Sequence, residues 1–588
     1  MIRSHGAGKV GEADIGSKVT VAGWVQKRRD HGGVAFFDVR DATGLIQVVA
    51  DPDQHPIVDD LRMEFCVRVE GTVRARPEGT ENPDLATGAI EIGAETIEVL
   101  SAAKTLPFMI DDRSDVDELV RLKYRYLDLR RPRMAENLKA RSHATAAIRR
   151  TLDDLGFLEV ETPTLINSTP EGARDMLVPS RLRQGEFYAL PQSPQLFKQL
   201  LMVSGVERYF QIARCYRDED FRSDRQLEFT QLDLEGSFWG RDDVFAAIEA
   251  TLAAAVKEVR GTDLPLPLPR LTWREAMDRY GVDKPDIRFG MEIVNLRDAV
   301  SGCGFVVFTD ALDAGGTVRG INAGKQDWSR GRADALTERA KELGAKGLVW
   351  GVIEEDGSLR SPAAKFLDLE EVGAIKRALS ATPGDVILIV ADSRWSTAVG
   401  VLGVLRNELG RPPNHDELAF LWVVDFPLFE EGEEGKITFS HHPFTSPHSV
   451  EEMRDNPHTA LSNAYDVVVN GVELGSGSIR IHDPVVQRQV FEILGIDAET
   501  AQRRFGWFLE ALEYGTPPHG GFAFGIDRLV MILQNEDTIR EVIPFPKSQT
   551  GLDPMTGAPA WVEDQQLSDL GIALSPDAIA RRDAAEEE

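Results

Sequence analysis

FQIARCYRDEDFRSDRQLEFTQLD, residues Phe210 to Asp233, decides how this chain folds. Tyr209–Tyr216 and Leu227–Phe238 alternate apolar and polar residues, as two strands of an antiparallel pair do. Between them Arg217–Gln226 is dense in charge, with Arg217, Arg222 and Arg225 interleaved with Asp218, Glu219, Asp220 and Asp224. A guanidinium fork at Arg217 suits a phosphate. Glu219 is placed to accept from an adenine amino group. Charge pattern alone favours a blander reading, a solvated hairpin laced with salt bridges.

Upstream, Leu138–Gly156 has helical periodicity and ends at a glycine, and Phe157–Thr162 then reads as a strand running into Pro163. After Pro194, Leu196, Phe197, Leu200 and Leu201 have helical spacing. Downstream, Leu421–Asp425, Ala464–Val469 and Gly477–Ile481 read as strands, with helices over Pro484–Leu494 and Ala501–Tyr514. Gly520–Leu533, GGFAFGIDRLVMIL, reads as a glycine-rich turn entering an apolar helix that starts near Arg528. No Gly-Lys-Ser/Thr follows, so this is not a Walker loop. Residues 285–415 carry strand and helix signals of their own and no chemical motif, as expected of an α+β insertion. Ala584–Glu588 closes the chain as an acidic, partly disordered tail.

Residues 1–105 hold five short runs rich in Val, Ile, Phe and Thr, separated by Gly, Asp and Pro. They predict a small barrel, either an OB-type nucleic-acid scaffold or a ligand-free Greek key. Lys27, Arg28 and Arg29 form a basic spot before Phe36 and Phe37, one of which faces the core by alternation. An exposed aromatic beside basic residues can stack a base, although two core phenylalanines fit the pattern alone. The net charge of −30 argues against a general nucleic-acid binder but leaves room for a local basic patch. Three scattered cysteines, Cys66, Cys215 and Cys303, fit a reducing cytoplasmic compartment. No apolar run approaches a membrane span, so no membrane partner is expected.

Taken together, three stretches carry a resemblance. Arg217-Asp218-Glu219 in its strand–loop–strand and Gly525-Ile526-Asp527-Arg528 are similar to motifs 2 and 3 of class II aminoacyl-tRNA synthetases. LGFLEVETP at Leu155–Pro163 resembles motif 1, which lies at the dimer interface in that class. QSPQLFKQ at Gln192–Gln199, HHPFTSP at His441–Pro447 and ELGSGSIR at Glu473–Arg480 resemble the bacterial aspartyl branch. The fold class implied is α+β and multidomain. It comprises an OB-type barrel at 1–105, a linker at 106–137 and a catalytic antiparallel sheet with flanking helices at 138–284 and 416–550. The insertion at 285–415 and a C-terminal extension at 551–588 complete it.

The resemblance implies ATP as a substrate, Mg²⁺ as a cofactor, L-aspartate, and a homodimer. Arg217, Glu219 and Arg528 are the implied catalytic groups. Arg217, Asp218, Glu219, Gln226, Glu473 and Gly525, Ile526, Asp527 and Arg528 form the implied ATP site, with Asp466 and Glu473 as Mg²⁺ carboxylates. Glu171, Gln195, Lys198, Arg217, Asp233, His441 and Arg480 form the implied aspartate site. Arg480 and Lys198 would then meet the side-chain carboxylate, and asparagine would leave them without a counter-charge. Such sites reject the wrong ligand by ~10⁴-fold. Residue types alone also allow a strand-end salt bridge at Arg480 and ordinary loop histidines at His441 and His442.

In the barrel, Arg29, His31, Phe36, Gln47 and Gly79 are the implied anticodon residues, with Phe36 stacking and Gln47 reading a base edge. His31 and Gly79 resemble the form that charges both tRNA-Asp and tRNA-Asn, the alternative being a strictly discriminating enzyme. Three other readings compete. An asparaginyl enzyme fits Lys198 beside Arg480 poorly. A non-catalytic tRNA-binding paralogue fits the retained Arg217, Glu219, Glu473 and Arg528 poorly, and an amide synthetase on the same catalytic domain has no use for an anticodon reader.

Overall fold

The computed structural model describes residues 2–168, 173–410, 412, 414, 416–432 and 435–587. The chain divides into two compact units, Met1–Val116 and Asp117–Glu588.

The first unit is a closed barrel of β1 (Lys18–His31), β2 (Val34–Asp41), β3 (Gly44–Ala50), β4 (Cys66–Ala75) and β5 (Ile90–Ser101), in the order β1-β2-β3-β5-β4. Strict alternation builds it. Val19, Val21 and Val25 of β1 and Ala35, Phe37 and Val39 of β2 point inward and are buried with Ile46, Val48, Val67 and Val69. Closure removes the open edges that short strands would otherwise expose.

The second unit does not begin where the sequence suggested. The polar stretch 106–137 reads as linker, yet α1 (Glu118–Lys123), α2 (Arg125–Asp128) and the start of α3 (Pro132–Asp154) lie in its second half. Long-range polar contacts hold them. Arg121 donates to Asp128 at 2.9 Å and to Glu541 at 2.6 Å, and Arg125 donates to the carbonyls of Ile543 and Pro544, both at 2.9 Å. Charged residues that look solvated in sequence are here a buried network.

An eight-stranded sheet forms the centre of this unit. In chain order its strands are β6 (Leu158–Glu159), β7 (Arg208–Tyr216), β8 (Glu228–Ser237), β9 (Arg270–Thr272), β10 (Phe420–Val424), β11 (Ala464–Val469), β12 (Val472–Ile479) and β13 (His519–Gly525). In space they run β9-β10-β11-β12-β13-β8-β7-β6. The interior pairs are antiparallel, and the edge strands β6 and β9 pair in parallel. β6 is much shorter than the expected strand at Phe157–Thr162.

GGFAFG is therefore a central strand and not a turn. Its glycines answer crowding from neighbouring strands: a Cβ on Gly521 would stand 1.9 Å from Oε2 of Glu235 and 2.3 Å from the Leu234 carbonyl. Phe522 and Phe524 face the other way, into the main core. That core is closed by α3, by α5 (Arg241–Arg260) and by the helix Ile526–Leu533, through Ile148, Leu152, Ile248, Leu252, Leu529 and Leu533. Trp422 and Phe245 stack at its centre with ring centroids 4.1 Å apart.

Within 285–415, five strands form a second sheet in the order Val294–Asn295, Thr317–Lys325, Asp385–Asp392, Val349–Ile353, Leu359–Arg360. Leu388 and Val390 face helix Trp395–Leu409, while Ile387 and Ile389 face Ile375 and Phe308, so each side has its own core.

At the C-terminal end, helices cover Asp564–Leu570 and Pro576–Glu587. The acidic tail expected to be partly disordered is helical as far as it is described, because Ala, Arg and Glu are good helix formers. Glu588 lies outside the described residues.

Candidate active site

The face of the sheet opposite the main core is polar. On β8, Leu232 and Leu234 turn to the core, so Gln231, Asp233 and Glu235 project to the opposite side. Strand register extends this row: Asp233 pairs with Ala523, Ala523 with Ser476, and Ser476 with Asp466. Over this face opens a cleft of about 530 Å³. It is lined by Gln195, Lys198, Arg217, Glu219, Gln226, Asp233, His441, Glu473, Arg480, Gly525, Asp527 and Arg528. The fold thus gathers most of the expected site residues from segments as far apart in sequence as Gln195 and Arg528.

At the floor lies a buried ion cluster. Lys198, on α4 (Gln195–Val203), is 3.0 Å from Asp233 and 3.1 Å from Glu235. Arg480 donates through Nε to Glu235 at 3.0 Å and through Nη1 to Ser478 at 2.9 Å. Both cations are therefore already paired. This corrects the expectation that asparagine would leave Lys198 and Arg480 without a counter-charge, because Glu235 supplies one. Glu235 lies two residues beyond Asp233 on a strand of period two, and that alternation is the sequence signal that marks it.

Burial acts on these groups in opposite senses. It raises the Asp233 carboxyl to about 6, with Lys198 opposing. Burial also opposes ionisation of Glu235, but Arg480 and Lys198 outweigh it and bring its pKa down to about 2. His442, missed in the sequence, is buried beside the same cations; desolvation, Arg480 and Lys198 lower it to about 3. Burial works against the His441 imidazolium too, but Asp466, 3.2 Å from Nε2, outweighs it and raises its pKa.

At the opposite end of the cleft, the Arg217 guanidinium lies over the Phe229 ring, 5.1 Å from its centroid. Among the described residues no carboxylate pairs with it. Arg528 donates to the Glu473 carbonyl at 2.6 Å and to Asp224 at 3.0 Å, and Glu219 pairs with Arg225 at 3.1 Å. Lys284, also missed in the sequence, lines the same end.

Several expected residues do other work. Ile526 is wholly buried in the core. Asp218 does not line the cleft; it pairs with Arg174 at 3.3 Å. The Asp527 carboxylate is taken by Arg141 and by the Thr230 backbone N–H at 2.7 Å, which ties the helix Ile526–Leu533 to β8. Both ends of the Gln226 amide are held by the Lys547 backbone, at 3.1 and 2.9 Å. Glu171 lies outside the described residues.

Asp466 and Glu473 meet across the β11–β12 turn, where Asp466 and then burial raise the Glu473 carboxyl. Two carboxylates that repel each other beside Arg528 and Lys284 form a donor set suited to Mg²⁺, which takes oxygen ligands.

In the first unit, Arg29 of β1 and Phe36 of β2 are cross-strand partners. Phe37 fills the core, whereas Phe36 lies on the outer face, partly exposed. Gln47 is buried and already engaged: it accepts from Arg29 at 3.2 Å and donates to Glu91 at 2.9 Å. A free base-edge reader at that position is thereby corrected. Of the basic spot, Arg28 is paired with Asp30 and Asp59, both at 3.0 Å. His31 is exposed at the end of β1, and Gly79 has φ +82° with open space around it.

Comparison with known proteins agrees with this arrangement. A family profile described as tRNA synthetases class II (D, K and N) matches residues 117–549, and one described as OB-fold nucleic acid binding domain matches 19–100. The chain is 55% identical over 582 residues to the aspartate--tRNA(Asp/Asn) ligase of Moorella thermoacetica, covering 97% of this chain and 96% of that one. It is 50% identical over 585 residues to the aspartate--tRNA ligase of Lysinibacillus sphaericus, covering 98% and 99%. In fold it is similar to asparaginyl-tRNA synthetase from Pyrococcus horikoshii complexed with asparaginyl-adenylate, with TM-score 0.58, 20% identity, and coverage of 94% and 100%. Among the described residues, no helix is long and apolar enough to cross a membrane. A closed barrel joined to a polar-faced antiparallel sheet, with profiles matching both in sequence, places the chain in a family: it belongs to the class II tRNA synthetases of the D, K and N group.

Proposed function

We propose that this protein activates L-aspartate with ATP and transfers it to the 3′ end of tRNA, and that it charges both tRNA-Asp and tRNA-Asn. The carrying observation is the buried cluster of Lys198, Arg480, Asp233 and Glu235 at the cleft floor. Arg480 has five N–H donors, and Glu235 and Ser478 occupy three of them. The remainder can receive a side-chain carboxylate, while Asp233 faces the α-ammonium.

No protein nucleophile is required. The aspartate α-carboxylate attacks the α-phosphorus in line, and pyrophosphate leaves. Arg217, which has no carboxylate partner among the described residues, neutralises the charge that develops there. Arg528 exchanges Asp224 for a terminal phosphate. Asp466 and Glu473 would hold Mg²⁺, which supplies charge neutralisation at phosphate oxygens when bound. The tRNA 3′-hydroxyl then attacks the aspartyl-adenylate carbonyl, the acyl–phosphate C–O bond breaks, and AMP leaves as the hydroxyl proton is released.

Dual charging rests on the names of relatives such as that of Moorella thermoacetica and on His31 and Gly79. The exposed Leu158 and Leu165 around motif 1 support a homodimer, and the family supports a cytoplasmic location. The test is aminoacylation with labelled aspartate and separate tRNA-Asp and tRNA-Asn transcripts. Charging of both supports the proposal in full. Charging of tRNA-Asp alone makes the enzyme discriminating, and charging of neither removes the assignment.

A further inference from the structure

Behind the cleft floor runs a buried hydrogen-bond chain that the mechanism above does not use. Gln195 Nε2 lies 2.9 Å from Gln199 Oε1, Gln199 Nε2 lies 3.1 Å from His519 Nε2, and His519 Nδ1 lies 2.8 Å from the Pro517 carbonyl oxygen. All three side chains are buried, and Gln195 alone of them lines the cleft. We propose that His519 is a positioning residue, which through Gln199 fixes the Gln195 amide so that its oxygen faces the α-ammonium of the amino-acid substrate.

The direction of the chain follows from one group that cannot reverse. The Pro517 carbonyl can only accept, so His519 Nδ1 carries the proton. Burial holds the imidazole neutral by lowering its pKa; Glu235 opposes this, and Arg480 and His482 add to it. With Nδ1 protonated, Nε2 of a neutral ring is an acceptor, so the Gln199 NH₂ must donate to it. Gln199 Oε1 is then left to accept, and the Gln195 NH₂ fills it. Gln195 Oε1 is what remains to meet the cleft. Aspartate offers two carboxylates, which only accept, and one donor, the ammonium. A carbonyl oxygen can engage only that donor. A backbone carbonyl at the mouth of β13 thus sets the polarity of a side chain two residues removed in the chain of contacts.

This inference rests on the aspartate reading, and its test separates the two. The first readout needs no activity: ¹⁵N shifts of selectively labelled histidine in the full chain, assigned to His519 by its loss in His519→Asn. The expected result is the Nδ1-protonated neutral tautomer, the less common one in free histidine. The second readout is aspartate-dependent ATP–pyrophosphate exchange. Gln199→Met, similar in length but unable to bond, is expected to raise the KM for aspartate about tenfold, the scale of one lost hydrogen bond. The KM for ATP is expected to stay within error, while the thermal midpoint falls, because His519 Nε2 and the Gln195 NH₂ are left buried without this partner. Gln199→Glu keeps an acceptor for Gln195 and draws a second proton onto His519. It is expected to restore the KM for aspartate to within about twofold and to show both imidazole nitrogens protonated. An Nε2-protonated His519 in the wild type overturns the proposal. So does Gln199→Met with an unchanged KM for aspartate, or with both KM values shifted together. A wild type with the expected tautomer and exchange driven by a different amino acid would instead remove the aspartate reading.

Discussion

Arg480 Nε lies 3.0 Å from Glu235 Oε1, both side chains wholly buried beneath the cleft. The pair joins the end of β12 to β8 across β13, and it is possible because Gly521 has no side chain between them. A carboxylate-binding guanidinium is thus held by an internal carboxylate before any substrate arrives.

Removing that carboxylate leaves Arg480 with no formal counter-charge. Glu235→Gln is expected to destabilise the second unit by about 3–5 kcal/mol, the cost of breaking a buried ion pair from one side. Urea unfolding followed by tryptophan fluorescence measures it. The Glu235 carboxyl, lowered from its ordinary 4.5 to about 2, contributes stability that is fully present above 4.5 and lost as pH falls towards 2. In Glu235→Gln that part of the acid dependence should be missing.

Gly521→Ala places a methyl group 1.9 Å from Glu235 Oε2 and 2.3 Å from a backbone oxygen. The strand cannot yield without moving Glu235. We expect kcat/KM for aspartate to fall at least tenfold, about 1.4 kcal/mol of transition-state stabilisation. Gly347→Ala, at a position with open space and no left-handed φ, serves as the control for glycine loss alone.

Asp233 must be ionised to hold an ammonium, and burial raises its carboxyl to about 6. Stability and binding respond with different signs. A raised carboxyl favours the folded state in its protonated form, so this group costs stability as pH rises from 3.8 towards 6. Binding follows the opposite course: kcat/KM for aspartate in pyrophosphate exchange should fall as pH drops through about 6, and that inflection should vanish in Asp233→Asn. A profile flat from pH 5 to pH 8 would contradict this role.

In the proposed mechanism Arg217 meets phosphate without first leaving a carboxylate, since among the described residues none pairs with it. Arg217→Gln is expected to lower the rate of pyrophosphate exchange by ~10²–10³-fold, the range for losing one preorganised donor. Protein unfolding by heat should be nearly unchanged, since the side chain is only partly buried.

Phe36→Ala tests the barrel separately. Loss of a stacking platform costs about 1–3 kcal/mol per base, so tRNA affinity should drop in filter binding. Pyrophosphate exchange without tRNA should keep its wild-type rate. Phe37→Ala, by contrast, should destabilise the barrel, because Phe37 is in its core.

Local alternation and motif order were enough to indicate the barrel strands, the β7–β8 pair and most cleft residues. They were legible because period two puts every second side chain on one face, as Ala35, Phe37 and Val39 show. Long-range pairing was not. GGFAFG reads as a turn until Glu235 and Leu234 are seen to demand glycine from the neighbouring strand. Asp117–Asn137 reads as linker until Asp128, Glu541 and the carbonyls near Ile543 are found around its arginines. The sequence by itself indicated most of the charged residues that line the cleft, Lys284 excepted. The tertiary structure alone decided which of them are already paired: Lys198, Arg480 and Arg528 have carboxylate partners, and Arg217 has none among the described residues. Charge is a property of one residue, whereas its satisfaction depends on distances that only the folded chain sets.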